Sequence, residues 1–208
     1  MKTILVTAFE PFGGSRRNSS LDTLRSLPES VGNCRAAKAE LPVEYEGAGL
    51  ALADHIARLR EEGDLFAVLC LGQAEGRGTI TPEYIAVNVR NGSIPDNAGR
   101  LCRFEPCEAG GPDGILATLP VPAVAERLNG MKIPASVSFS AGAYVCNSTM
   151  YAALRLTEGT GIRAGFIHLP LSAEIALEEG KAGRVLTLPQ SVLTAGMVEA
   201  LRVILETE

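Results

Sequence analysis

Two side chains in this sequence are of the right types, at the right places, to do covalent chemistry. Cys146 follows a run of small residues, Ser140-Ala141-Gly142-Ala143, and stands where a helix is expected to begin. A helix N-terminus favours negative charge, so the position predicts a thiol of lowered pKa, and its free backbone N–H groups can hold an oxyanion. His168 closes the apolar run Gly165-Phe166-Ile167 and is one of only two histidines. Cysteine and histidine form a familiar nucleophile–base pair. The other histidine, His55, lies among Asp54, Arg58 and Arg60 and reads as a helix-surface residue. Cys70, inside an apolar strand, reads as core. A third group must hold the imidazole in its useful tautomer. Glu83 and Glu10 are the acidic candidates near strands, and spacing does not choose between them.

Two further segments look like binding loops. Phe9-Glu10-Pro11-Phe12-Gly13-Gly14 places two phenylalanines three apart in a turn. They either cap the edge of the core or clamp a flat, apolar ring. Gly72-Gln73-Ala74-Glu75-Gly76-Arg77-Gly78 is glycine-rich but matches neither the dinucleotide fingerprint nor the P-loop. As a phosphate cradle it is weak, and its exposed backbone groups could equally meet a neutral amide ligand.

The elements that must position these residues follow from hydrophobic patterning. Strands are expected at 2–8, 35–41, 65–71, 83–89, 135–139 and 164–169. Helices are expected at 19–30, 45–62, 122–128, 145–158 and 190–206. Ser19 and Asp22 are placed like a capping box. Leu50, Ile56 and Leu59 form the apolar side of the 45–62 helix. Residues 90–113, rich in Gly, Pro, Asn and Asp, read as a long irregular excursion. Strands alternating with helices predict a single α/β domain over 1–208, a three-layer α/β/α sandwich around a mixed, mostly parallel sheet. Such sheets bind ligands beyond the carboxyl ends of their strands. That is where Phe9, Gln73 and His168 fall.

The chain as a whole narrows the function classes. It has 208 residues, is 46% hydrophobic and carries a formal net charge of −5. Lys2 and the Arg16-Arg17 pair are too few for a nucleic-acid footprint. The apolar start Thr3–Ala8 lacks a basic leader and a cleavage site, and no run is long enough to span a bilayer. Five cysteines, an odd number without framework spacing, predict free thiols in a reducing, cytoplasmic setting. Cys102 and Cys107 have no partners to complete a metal site.

Together these motifs resemble the pyroglutamyl peptidase I family. The likeness covers essentially the whole chain. It rests on Phe9–Gly14 with Asn18, on Gly72-Gln73 through Arg77, and on Thr81-Pro82-Glu83-Tyr84-Ile85-Ala86-Val87-Asn88. Ile94-Pro95-Asp96-Asn97, Ser140-Ala141-Gly142 to Cys146-Asn147, and Gly165–His168 complete it. The resemblance implies a cysteine exopeptidase, without metal or cofactor, that cleaves after an N-terminal pyroglutamyl residue and forms a homo-oligomer, a dimer or tetramer. It implies Cys146 as nucleophile, His168 as base and Glu83, rather than Glu10, as the acid. It places the substrate pocket at Phe9, Phe12, Asn18, Gln73, Ile94, Tyr144 and Val145. The chain departs from the family's usual pattern at Ser93, commonly arginine, and at Phe139, commonly asparagine. These departures leave a second expectation, a relative that binds pyroglutamyl-like ligands without efficient turnover. Arg90, three residues away, and Arg77, in another loop, are the cations that could replace the arginine.

Overall fold

Apolar runs without alternation make strands covered on both faces, and the centre of this fold is built from three of them. The computed structural model describes residues 1–207. β1 (Thr3–Phe9) is buried along its whole length. It is joined in sequence by α1 (Ser19–Ser26), β2 (Ser30–Val31), β3 (Cys34–Leu41), α2 (Gly47–Glu61) and β4 (Leu65–Gln73). Then come β5 (Thr81–Glu83), β6 (Ile85–Val87), β7 (Gly114–Leu116), α3 (Val121–Gly130), α4 (Val145–Thr157) and β8 (Arg163–Leu169). β9 (Leu171–Ser172), α5 (Ala173–Glu178), β10 (Thr187–Leu188) and α6 (Gln190–Glu206) complete the chain.

The main sheet runs β2-β3-β1-β4-β8-β5. β3, β1, β4 and β8 are parallel, and the flanking β2 and β5 are antiparallel. Alternate residues of each strand face opposite layers. Ile4, Val6, Leu69 and Ile167 pack with α1, α3 and α6. Leu5, Val68, Cys70 and Phe166 pack with α2 and α4. The result is the mixed, mostly parallel α/β/α sandwich that the patterning predicts. No helix among the described residues is long and apolar enough to cross a membrane.

Several local expectations are corrected. The first helix stops at Ser26, because Pro28 holds Leu27 extended at φ −64°, ψ 146°. Its N-cap is Asn18, whose side chain accepts from the Ser20 backbone N–H, so Ser19 is not a capping residue. On α2, Leu52 takes the buried position and Leu50 is 68% exposed. The expected strand at 83–89 breaks at Tyr84. β5 pairs with β8, whereas β6 turns away to pair with β7. Residues 135–139 form no strand and make only isolated bridges, Ala135 with Ile80 and Ser138 with Glu83.

Candidate active site

β4 and β8 end together, with Gly72 opposite His168 and Gln73 opposite Leu169. On the neighbouring strand β5, Thr81 lies opposite His168 and Glu83 opposite Phe166. Phe166, His168 and Glu83 therefore share the sheet face that α4 covers. A Cβ on Gly72 would stand 2.7 and 2.9 Å from the Phe166 ring and 3.0 Å from Cys146 Sγ. Glycine is what lets the second residue of α4 bring its thiol down onto the sheet edge, beside the strand position of His168. No side chain caps α4 at Tyr144. Its first-turn N–H groups are thus left for another acceptor.

His168 Nδ1 lies 2.8 Å from Glu83 Oε1, and both side chains are buried. Burial alone would raise the Glu83 pKa. The hydrogen bond from His168, with one from Ser138 and the charge of Arg77, outweighs it and holds the carboxyl below its ordinary value. Burial pushes His168 the other way for a base: its pKa falls below the ordinary value, against the pull of Glu83. A neutral imidazole beside a carboxylate carries its proton on Nδ1 and leaves Nε2 free to accept another. Glu10 has a different task. Its Oε1 accepts from the Val43 backbone N–H at 3.0 Å and from Asn97 Nδ2 at 2.7 Å, tying two loops together.

The expectation of a lowered thiol pKa at Cys146 is overturned. Burial pushes it up to about 12, and the nearby Glu83 charge adds to the rise, against Arg77. Desolvation in this site outweighs the helix N-terminus. The resting cysteine is a thiol, and it needs a base at the moment of attack. Cys70 is also raised to about 12 by burial, as a core cysteine would be.

Next to the thiol lies a narrow, nearly closed cleft walled by Phe9, Phe12, Val43, Tyr144 and Val145, with Asn18 and Gln73 as its polar lining. The Tyr144 ring stands edge-on to Tyr45 at 5.4 Å and tilted to Phe12 at 6.4 Å. Its hydroxyl donates to the Pro95 carbonyl at 2.9 Å. Gln73 Oε1 accepts from the Ser19 backbone N–H at 2.8 Å. That bond fixes the amide's orientation and leaves its NH₂ as the polar end for the cleft. Asn18 is largely committed to structure, donating to the Glu10 carbonyl and accepting from Ser20. Ile94 is not part of this wall. It is 43% exposed and packs beside Gly13. Val43 does line the cleft, and no sequence signal marks it, because it sits in an unpatterned stretch between β3 and α2.

The two departures from the family pattern fall outside the triad's contacts. Ser93 is exposed. Arg90 turns to Glu46, whereas Arg77 reaches Glu83. Phe139 is 70% exposed against the Tyr84 ring. The glycine-rich 72–78 loop is occupied by Gln73's bond to Ser19 and Arg77's to Glu83. Among the described residues, no three His, Cys, Asp or Glu side chains gather as metal ligands would.

Residues 2–208 match the family model described as pyroglutamyl peptidase. The chain belongs to that family. Membership makes it a cysteine-type peptidase. Among relatives in the pyroglutamyl peptidase family, the pyrrolidone-carboxylate peptidase of Thermococcus kodakarensis is 38% identical over 205 residues, 98% of this chain and 96% of its own. That of Chromobacterium violaceum is 42% identical over 178 residues, 85% of this chain and 81% of its own. The crystal structure of Bacillus amyloliquefaciens pyroglutamyl peptidase I superposes with a TM-score of 0.90 at 29% identity, covering 100% of this chain and 98% of its own.

Proposed function

We propose that this pyroglutamyl peptidase works through Cys146, His168 and Glu83 on peptides whose N-terminus is a pyroglutamyl ring. The observation that carries the assignment is the buried 2.8 Å contact between His168 Nδ1 and Glu83 Oε1, at the strand position beside the Cys146 thiol. The ring enters between Phe9, Phe12 and Tyr144. None of the residues walling that cleft is charged, which suits a lactam that has no free amine.

His168 Nε2 takes the thiol proton as Cys146 Sγ attacks the carbonyl that follows the ring. The carbonyl oxygen becomes an oxyanion facing the backbone N–H groups at the start of α4. Glu83 stabilises the imidazolium that results. The intermediate collapses, the carbon–nitrogen bond breaks, and His168 gives its proton to the departing amine. Water then attacks the thioester, His168 takes its proton, and pyroglutamate leaves as the thiol reforms.

The test is release of an arylamine from a pyroglutamyl arylamide under reducing conditions. Release is expected from the unmodified chain and not from Cys146→Ala. Folded protein that gives no release would overturn the reading. We further propose that residues 1–208 act as one peptidase domain in the cytoplasm, where five free thiols would persist, and that the chain self-associates as a dimer or tetramer. Light scattering on the eluting protein measures the last of these.

A further inference from the structure

Glu83 is a fully buried carboxylate whose hydrogen-bonded histidine is neutral at rest. A buried charge with no counter-charge is costly, and such groups usually take up a proton instead. The cation that answers it is Arg77. Its Nη1 donates to Glu83 Oε1 at 2.5 Å, the same oxygen that faces His168 Nδ1. It also donates to Thr81 Oγ1 at 2.5 Å, on the strand position opposite the His168 backbone. From the other arm, Nη2 donates to the Ser140 carbonyl at 3.0 Å. Ser140 begins the turn that leads to Cys146. One guanidinium thus touches the acid of the triad, the strand that carries it, and the turn that delivers the nucleophile. The loop is shaped for this: the Arg77 backbone N–H donates to the Ala74 carbonyl, and Gly76 takes φ +95°, open mainly to glycine.

We infer that Arg77 is the positioning residue of this site, holding Glu83 as an aimed carboxylate behind His168 and locking the Cys146 turn to it. The inference rests on the triad proposed above. Arg77 is absent from the cleft wall, so it acts through Glu83 and Ser140 rather than on the substrate. The charged groups bearing on His168 are Glu83 from β5 and Arg77 from the 74–80 loop; Cys146 of α4 stands against Gly72, the β4 residue opposite His168, with Cys70 two residues before it. Of these only Arg77 is a permanent cation. Its charge lowers the pKa of Glu83, His168 and Cys146 alike. Without it, a proton on the Glu83–His168 pair becomes easier to hold, and Nε2 is filled before the thiol can use it.

Two histidines make the test direct. The imidazole C2 proton signals are followed against pH in the unmodified chain, Arg77→Gln and Arg77→Lys, with His55→Gln identifying the His168 signal. In Arg77→Gln the His168 midpoint is expected to rise by about one pH unit. On a pyroglutamyl arylamide, kcat is expected to fall at least roughly tenfold with KM within about twofold. Arg77→Lys keeps the charge but cannot span both Glu83 and Ser140. It is expected to hold the midpoint and still lose kcat. An unmoved midpoint in Arg77→Gln overturns the inference. If that variant does not fold, a lysine variant of full kcat overturns it equally. Should the unmodified chain itself not turn over the arylamide, the triad's function fails while the histidine midpoints still judge Arg77.

Discussion

Cys146 Sγ and Gly72 meet at the point where β4 leaves the sheet, with 3.0 Å between the sulfur and the place a Cβ on Gly72 would take. The nucleophile is seated by a missing side chain. Gly72→Ala tests this. The backbone there is not in the left-handed region, so any effect is steric. The new methyl would meet the Phe166 ring as well as the sulfur. Overpacking of this kind costs about 1–3 kcal/mol, and a displaced nucleophile costs about 100-fold in rate. Urea unfolding and arylamide turnover measure the two. Full activity in the variant would mean that the thiol is not held where this geometry puts it.

A second prediction concerns the thiol itself. With Cys146 raised to about 12 by burial and by Glu83, alkylation by iodoacetamide should be slow at pH 7 and rise steadily into the alkaline range. Peptide mass analysis separates Cys146 from Cys107, the other half-buried cysteine. A rate that levels off below neutral pH would reveal a standing thiolate, contrary to this site.

The orientation of Gln73 gives a third. Gln73→Glu can keep an oxygen on the Ser19 N–H while replacing the NH₂ that meets the cleft. KM for the pyroglutamyl substrate should rise at least about tenfold, since losing a partner for a buried polar group costs about 1–3 kcal/mol. The fold should persist, as judged by circular dichroism. An unchanged KM would show that the amide does not touch the ring.

Acid should loosen the protein in two stages. His168 has its folded pKa below the ordinary 6.5, so the unfolded chain takes up that proton first. Its contribution is complete above 6.5 and declines as pH falls toward the folded value. Glu83 also has a lowered pKa, below the ordinary 4.5. Its contribution is present above 4.5 and is lost as pH falls through the folded value. Both act in the same direction. Urea midpoints should therefore drop from pH 8 to 5, and the drop should shrink in His168→Gln. A midpoint that is flat or rises on acidification would contradict the neutral, buried imidazole.

How much of this could be read from the residues differs from one group to the next. The strands that carry Phe9, Gln73 and His168 near their ends were legible because each is built on a short, mostly apolar run with glycine or proline close after it, the pattern of a strand covered on both faces. The helix-opening position of Cys146 was legible from the small-residue turn before it. The sign of its pKa was not, because desolvation depends on what α4 and Phe166 cover, and one local segment does not contain that. Glu83 could not be separated from Glu10 by pattern, since both follow or sit in short strands. The structure separates them by what each carboxylate touches. Asn147 was visible only as a motif letter. Buried, it clamps the β6 end by accepting from Val87 N–H and donating to the Val87 and Val89 carbonyls. Ile94 was carried along by its motif neighbours, but Asp96 and Asn97 do that motif's structural work through Tyr45, Arg100 and Glu10.

As the ring pocket proposed above, the cleft between Phe12 and Tyr144 would also set when in a peptide's life the protein can act. A chain that begins with an open glutamine carries an ammonium group, and the wall has no carboxylate to receive it. Leaving that charge dry and unpaired costs several kcal/mol. Only after the glutamine has cyclised, and the ammonium has vanished into the lactam, does the end of the chain fit. Such a slot would take the cyclised, blocked form of a peptide and pass over its open, unblocked twin.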